Sequence, residues 1–312
     1  MLLLLAVVIY PLLPNGYYAS LAEQQIVDIS QISFWLLPTL FCLSVINYGL
    51  ESLKWQIISG LTEEISYKKA FKGVLAGAAF SNIFPWKTGE FIGKVSYLKA
   101  ENKVKGTYLS VYSSMTQLFI TLLMGIISIA CITQIDFLYH IKIVIPSGLY
   151  PFAIGTSALL LVFVMLLRNR LWNWVSSFFG PRLKYYAKSF TSIPLKTSLI
   201  LLLLSFIRYC FFVLPYIIVI HQTEADLAIG VIALLVSLSF LAQTPLPGII
   251  WSDLAIKGFI HLSLFLPFIT YNWSVGNAVL LVFIFNQILP SVVGVVLLFT
   301  STKEKQKQSN IT

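Results

Sequence analysis

Long apolar runs limit this chain to one solvent. Thr107–Thr133, "TYLSVYSSMTQLFITLLMGIISIACIT", and Ser198–Ile220, "SLILLLLSFIRYCFFVLPYIIVI", hold between them a single charged side chain, Arg208. About 20 apolar residues make a helix long enough to cross a bilayer. Strands of a membrane barrel would alternate apolar and polar residues instead. Composition agrees: the 312 residues are 58% hydrophobic and 11% charged, with mean hydropathy +0.86. Soluble domains carry about 25% charged residues. The expected fold is therefore all-α: a polytopic helical membrane protein with about 8 transmembrane helices.

The apolar spans run roughly over 1–13, 33–53, 106–134, 146–167, 197–220, 226–243, 249–271 and 275–300. The opening "MLLLLAVVIY" lacks a basic leader and a small-residue cleavage site, so it reads as a short first helix rather than a cleaved signal. The expected organisation is a single membrane domain over 1–302, with a short polar tail at 303–312.

The formal net charge of +9 does not point to nucleic acid, because the basic residues flank apolar spans. Lys68, Lys69, Lys72, the 168–196 loop, Lys303, Lys305 and Lys307 alternate along the chain with acidic loops holding Asp28, Asp136, Glu224 and Asp226. The positive-inside rule places the basic loops, and both termini, in the cytoplasm of a plasma (inner) membrane protein. Cys42, Cys131 and Cys210 lie far apart in apolar runs and are expected to be small buried hydrophobes. Trp35, Trp55, Trp86, Trp172, Trp174 and Trp273 stand near span ends, as in an aromatic belt.

One stretch breaks the apolar pattern: Phe84–Lys94, "FPWKTGEFIGK". It follows segment 70–86, which is barely long enough to cross. A crossing there would put Lys99, Lys103 and Lys105 outside. A segment that turns back keeps them beside Lys68, Lys69 and Lys72. A re-entrant hairpin around 70–100 is expected, broken at Pro85 and Gly89. Lys87, Glu90, Lys94, Tyr97 and Glu101 would form one polar stripe along its returning helix. That stripe fits either the wall of a headgroup cavity or a helix lying at the interface.

A second break, "QTPLPGIIWSDLAIKGF" over 243–259, carries Pro245, Pro247 and Gly248. Asp253 and Lys257 then repeat the acid-to-lysine spacing of Glu90 and Lys94, each lysine with a neighbouring glycine. Paired interruptions in corresponding halves mark transporter binding sites. The alternative for Asp253 and Lys257 is a self-neutralising pair in lipid. Spans 226–243 and 249–271 fit two crossings or one hairpin equally well. Arg208 needs an ion-pair partner or a headgroup phosphate.

These two stretches resemble the lysylphosphatidylglycerol synthase transmembrane-region family of flippase-like proteins. Pro85-Trp86-Lys87-Thr88-Gly89-Glu90 with Lys94, the later Gln117, and Asp253-Leu254-Ala255-Ile256-Lys257-Gly258 carry the resemblance. Lysines stand at Lys94 and Lys257 where the family commonly has arginine, which weakens bidentate phosphate capture. The aminoacyl-transferring domain of the synthases is not found here. The resemblance implies binding and translocation of a phospholipid or lipid-linked molecule between leaflets.

Lys87, Glu90, Lys94, Arg208, Asp253 and Lys257 are the expected headgroup and cavity residues. No catalytic motif, metal site or cofactor is expected. The expected partners are membrane lipids. Two alternatives stand beside this: a scaffold recruiting a separate membrane or cytosolic enzyme, and a membrane-embedded transferase.

Overall fold

The computed structural model describes residues 27–84, 88–134, 193–246 and 250–309. Helix α1 spans Leu36–Ser59, α2 Tyr67–Ser81, α3 Gly89–Val95 and α4 Lys103–Gln134. After the undescribed segment come α5 (Leu195–Thr223), α6 (Ile229–Gln243), α7 (Ile250–Phe265) and α8 (Asn272–Phe283). A π-helical turn at Ile284–Ile288 joins α8 to α9 (Leu289–Ser309). No strand occurs among the described residues. Among the described residues, four stretches are long and apolar enough to cross a membrane: 36–59, 100–132, 195–223 and 272–300. The spans expected at 1–13 and 146–167 lie outside the described residues, as do Pro85, Lys87, Pro247 and Gly248.

Several polar side chains of the long helices bond to their own backbone. In α4 the hydroxyls of Thr107, Thr121 and Ser128 donate to carbonyls four residues back. Unpaired polar groups in lipid would cost several kcal/mol each.

Helices α2 and α3 form the expected re-entrant hairpin. Ser66 caps α2, its hydroxyl accepting from the Lys69 N–H. The arms run antiparallel: Gly73 faces the Lys94 carbonyl, Gly77 faces Glu90, and Gly89 faces Phe80. A Cβ on Gly93 would overlap the backbone of Gly77, and one on Gly294 of α9 would overlap the Leu75 carbonyl. Glycine here permits main chain to lie on main chain. The arms of 15 and 7 residues rise only about 22 and 10 Å, against a hydrocarbon core of about 30 Å. Glu63, before the hairpin, accepts from the Lys99 N–H and from the Asn102 amide, after it. Entry and exit are thereby tied together at one end of the molecule. The Lys99 N–H, then Asn102, hold the Glu63 carboxyl below its ordinary range.

The ambiguity over 226–271 resolves the same way. Glu224, at the end of α5, accepts from the Thr270 and Tyr271 N–H groups at 3.1 and 3.0 Å. Thr223 meets Ser274 at the same end, and Asp28 meets Asn277. Helices α6 and α7, of 15 and 16 residues, are therefore the arms of a second hairpin that leaves where it entered. Its entrance is the end opposite Glu63, since α1 runs from the Asp28 end to the Glu63 end.

The described elements thus repeat one order with reversed direction. Helix α1, the first hairpin and α4 are followed by α5, the second hairpin and α8–α9. The echo between Glu90–Lys94 and Asp253–Lys257 falls on the returning arm of each hairpin. The glycine part of the echo fails: Gly93 is packed against Gly77, whereas a Cβ on Gly258 would meet nothing within 4 Å.

Each hairpin has its own apolar core. Trp55, Ile58, Val74, Leu109 and Leu201 surround the first. Val219, Ile232, Leu235, Phe265 and Val275 surround the second. Between the two lies a layer of buried polar and charged side chains on α1, α3 and α5.

Three expectations need correction. Trp55 is fully buried in the first core rather than placed in an aromatic belt, because α1 continues to Ser59. Cys42, Cys131 and Cys210 are free and exposed on the apolar exterior, not buried. The polar stripe ends early: α3 stops at Val95, and Glu101 belongs to a separate 3-10 turn at Ala100–Asn102.

Impermeant thiol labelling of single cysteines at Lys69, Lys103, Asp226 and Tyr271, with the native cysteines changed to serine, checks the two hairpins. Lys69→Cys and Lys103→Cys should label from one face, and Asp226→Cys and Tyr271→Cys from the other. Opposite faces within either pair would remove that hairpin.

Candidate functional site

Asn47, Glu51 and Lys54 follow one another at steps of four and three, so they share one face of α1. All three are buried, Glu51 with 2% of its surface exposed. The Glu51 carboxylate collects cations from three other positions. Lys94 of α3 lies 2.5 Å from it, Arg208 of α5 2.7 Å, and Lys54 3.5 Å. Lys94 also pairs with Glu90 at 2.5 Å. Arg208 donates from its Nε–H to the Asn47 side-chain oxygen at 2.9 Å, and its guanidinium lies 5.0 Å from the Phe212 ring centre. Lys54 donates to the Ser113 carbonyl.

The second hairpin supplies another pair. Lys257 reaches Asp253 at 2.6 Å and the Gln287 side-chain oxygen at 3.0 Å. Its ammonium lies 5.6 Å from the centre of the Phe283 ring. One turn on, His261 is fully buried and stacked on Tyr216, with Nδ1 against the Lys257 carbonyl. That carbonyl can only accept, so Nδ1 carries the proton.

One cavity of about 370 Å³ joins the two clusters. Glu51, Glu90, Arg208, Asp253 and Lys257 all line it, together with Gln117. A stretch near residue 90 and one near residue 255, far apart in the chain, thus face the same space. Lys94 is the exception among the expected cavity residues described: it has no exposed surface and does not line the cavity. Its ammonium lies behind the wall, held by the two glutamates. Gly89 begins α3 beneath Phe80, and Pro245 stands in the turn after α6. The role of Lys87 falls outside the described residues.

Sequence reasoning missed Asn47, Glu51 and Lys54. Their spacing within an apolar helix was the available signal, masked by their place at the edge of a predicted span. It also missed Asn286 and Gln287. Both line the cavity from the π-helical turn between α8 and α9. Such turns occur often at functional sites.

Removing one partner from a buried ion pair leaves an uncompensated charge, costing about 3–5 kcal/mol. Glu51→Ala should lower the melting temperature in detergent sharply, because three cations lose their shared carboxylate. Glu90→Ala should cost much less, since Glu90 is 27% exposed and Lys94 keeps Glu51. Equal losses would show that Glu51 is not the centre of the cluster.

The family described as lysylphosphatidylglycerol synthase TM region matches residues 1–294 of the 312. No curated protein and no solved structure matches the chain. The match covers both hairpins, all the long helices up to Gly294 and every charged residue of the cavity. This chain is a multi-pass membrane protein that belongs to the lysylphosphatidylglycerol synthase TM region family.

Proposed function

We propose that this protein binds the phosphate-bearing headgroup of a membrane lipid in the central cavity and carries it between leaflets. One observation supports this above the others. Among the described residues, the cluster around Glu51 holds three cations, Lys54, Lys94 and Arg208, against two carboxylates, Glu51 and Glu90. Asp253 and Lys257 cancel each other. An excess positive charge at membrane depth is costly and attracts an anion. A phosphate is the anion every phospholipid brings.

In this reading Arg208 and Lys257 meet the phosphate, because their side chains reach the cavity. Arg208 offers a planar fork suited to phosphate oxygens, and Lys257 a point charge. Glu90, whose carboxylate is partly open to the cavity, receives any ammonium on the headgroup. Lys94 acts indirectly by holding Glu51 and Glu90 in place.

The two hairpins enter from opposite ends, so the headgroup site lies between two short barriers rather than behind one long one. The cavity is near the lower end of the range of ordinary ligand sites. It takes a headgroup and leaves the acyl chains in the bilayer. The basic end, with Lys68, Lys69 and Lys72, faces the cytoplasm. The chain supplies passage rather than a chemical step.

Purified protein in liposomes with fluorescent phosphatidylglycerol tests this, read by quenching of the outer leaflet. Wild type should equalise the leaflets faster than protein-free liposomes. Arg208→Ala and Lys257→Ala should each slow this by about tenfold or more, the loss expected for one charged hydrogen bond. Arg208→Lys should fall between. Rates no faster than protein-free liposomes, or alanine variants matching wild type at equal melting temperature, would overturn the proposal.

A further inference from the structure

Gln287 is bonded to both hairpins at once. It sits in the π-helical turn, is nearly buried, and lines the cavity. Its side-chain oxygen accepts from Lys257, on the returning arm of the second hairpin, at 3.0 Å. Its amide nitrogen donates to Asn82, at the inner end of α2 in the first hairpin, also at 3.0 Å. Asn82 is fixed in turn by Ser291, whose hydroxyl also meets the Ala78 carbonyl. A side-chain amide has one acceptor end and one donor end. Here each end is committed to a different hairpin.

The turn itself is anchored separately. The Phe285 and Asn286 carbonyls accept from Ser44 and Tyr48 of α1, at 2.6 and 2.9 Å. The Asn286 side chain accepts from Asn47. Gln287 therefore projects from a fixed mount toward two elements that enter the membrane from opposite ends.

We infer that Gln287 is a positioning residue that competes with the lipid phosphate for Lys257 and so couples headgroup binding to separation of the hairpins. This rests on the headgroup reading above. A phosphate oxygen and the Gln287 amide oxygen are both acceptors for the same ammonium. The phosphate is charged, so it makes the stronger hydrogen bond. Lys257 carries three donors, so the phosphate displaces the amide by drawing the ammonium toward the cavity. The neutral Gln287 bond, at 3.0 Å, gives way before the charged Asp253 bond at 2.6 Å, and the amide then keeps only Asn82. The link between the two barriers is then broken only when a headgroup is present. A protein built this way moves lipid without standing open to water or ions.

Two substitutions separate this from a merely structural role. Gln287→Met keeps the chain length and removes the competing oxygen, so half-maximal transport should need less labelled phosphatidylglycerol. Gln287→Glu places a carboxylate against Lys257, so half-maximal transport should need about tenfold more. The experiment is the liposome assay with the mole fraction of labelled lipid varied, each variant matched to wild type by melting temperature. Opposite shifts of the half-saturation point establish the competition. Shifts in the same direction, or none, overturn it while leaving the headgroup reading intact. Should Gln287→Met fail to fold, Gln287→Leu takes its place, because a carboxylate at this position weakens phosphate binding whether or not the native glutamine competes. Wild type that moves no lipid removes the headgroup reading and this inference with it.

Discussion

A carboxylate buried among three cations organises this molecule. Glu51 draws Lys94 from the first hairpin, Arg208 from α5 and Lys54 from its own helix to one point between two apolar cores. Apolar cores alone would not fix this arrangement. Lipid tails are as apolar as leucine, so helix association in a membrane depends on close packing and polar bonds. The glycine contacts between α2, α3 and α9 supply the first. The Glu51 cluster supplies the second, and through Lys94 it holds the returning arm of the first hairpin.

Stopping short matters for what the fold can do. A full-length helix carries its backbone bonds from face to face and leaves no backbone group free at mid-depth. Two hairpins from opposite ends bring their returning arms to the same layer. Their charged pairs, Glu90 with Lys94 and Asp253 with Lys257, then face one cavity or stand just behind it. The reversed repeat explains why two similar charge spacings sit so far apart in the chain. It gives each end of the site a barrier of its own.

Much of this was legible in the residues. Continuous apolar runs specified helices, and the lysines on both sides of segment 70–86 specified a hairpin. The acid-to-lysine spacing marked both returning arms. Other parts were not legible, for physical reasons. Spans 226–243 and 249–271 are apolar enough to cross, and only the bonds from Glu224 to Thr270 and Tyr271 show their ends together. Lys94 reads as a cavity residue by spacing, yet its partner Glu51 comes from a helix 43 residues earlier and draws it behind the wall. Asn286 and Gln287 stand in a π-helical turn, which leaves no periodic trace in an apolar run.

The central claim is that the layer between the two hairpins is a lipid-headgroup site. Cryo-electron microscopy of the protein in nanodiscs containing phosphatidylglycerol tests it most directly. The account predicts phosphate density inside the cavity within hydrogen-bond reach of Arg208 and Lys257, with the acyl chains leaving sideways into the bilayer. Lipid density confined to the outer surface, with Arg208 and Lys257 still closed on Glu51, Asp253 and Gln287, would contradict it.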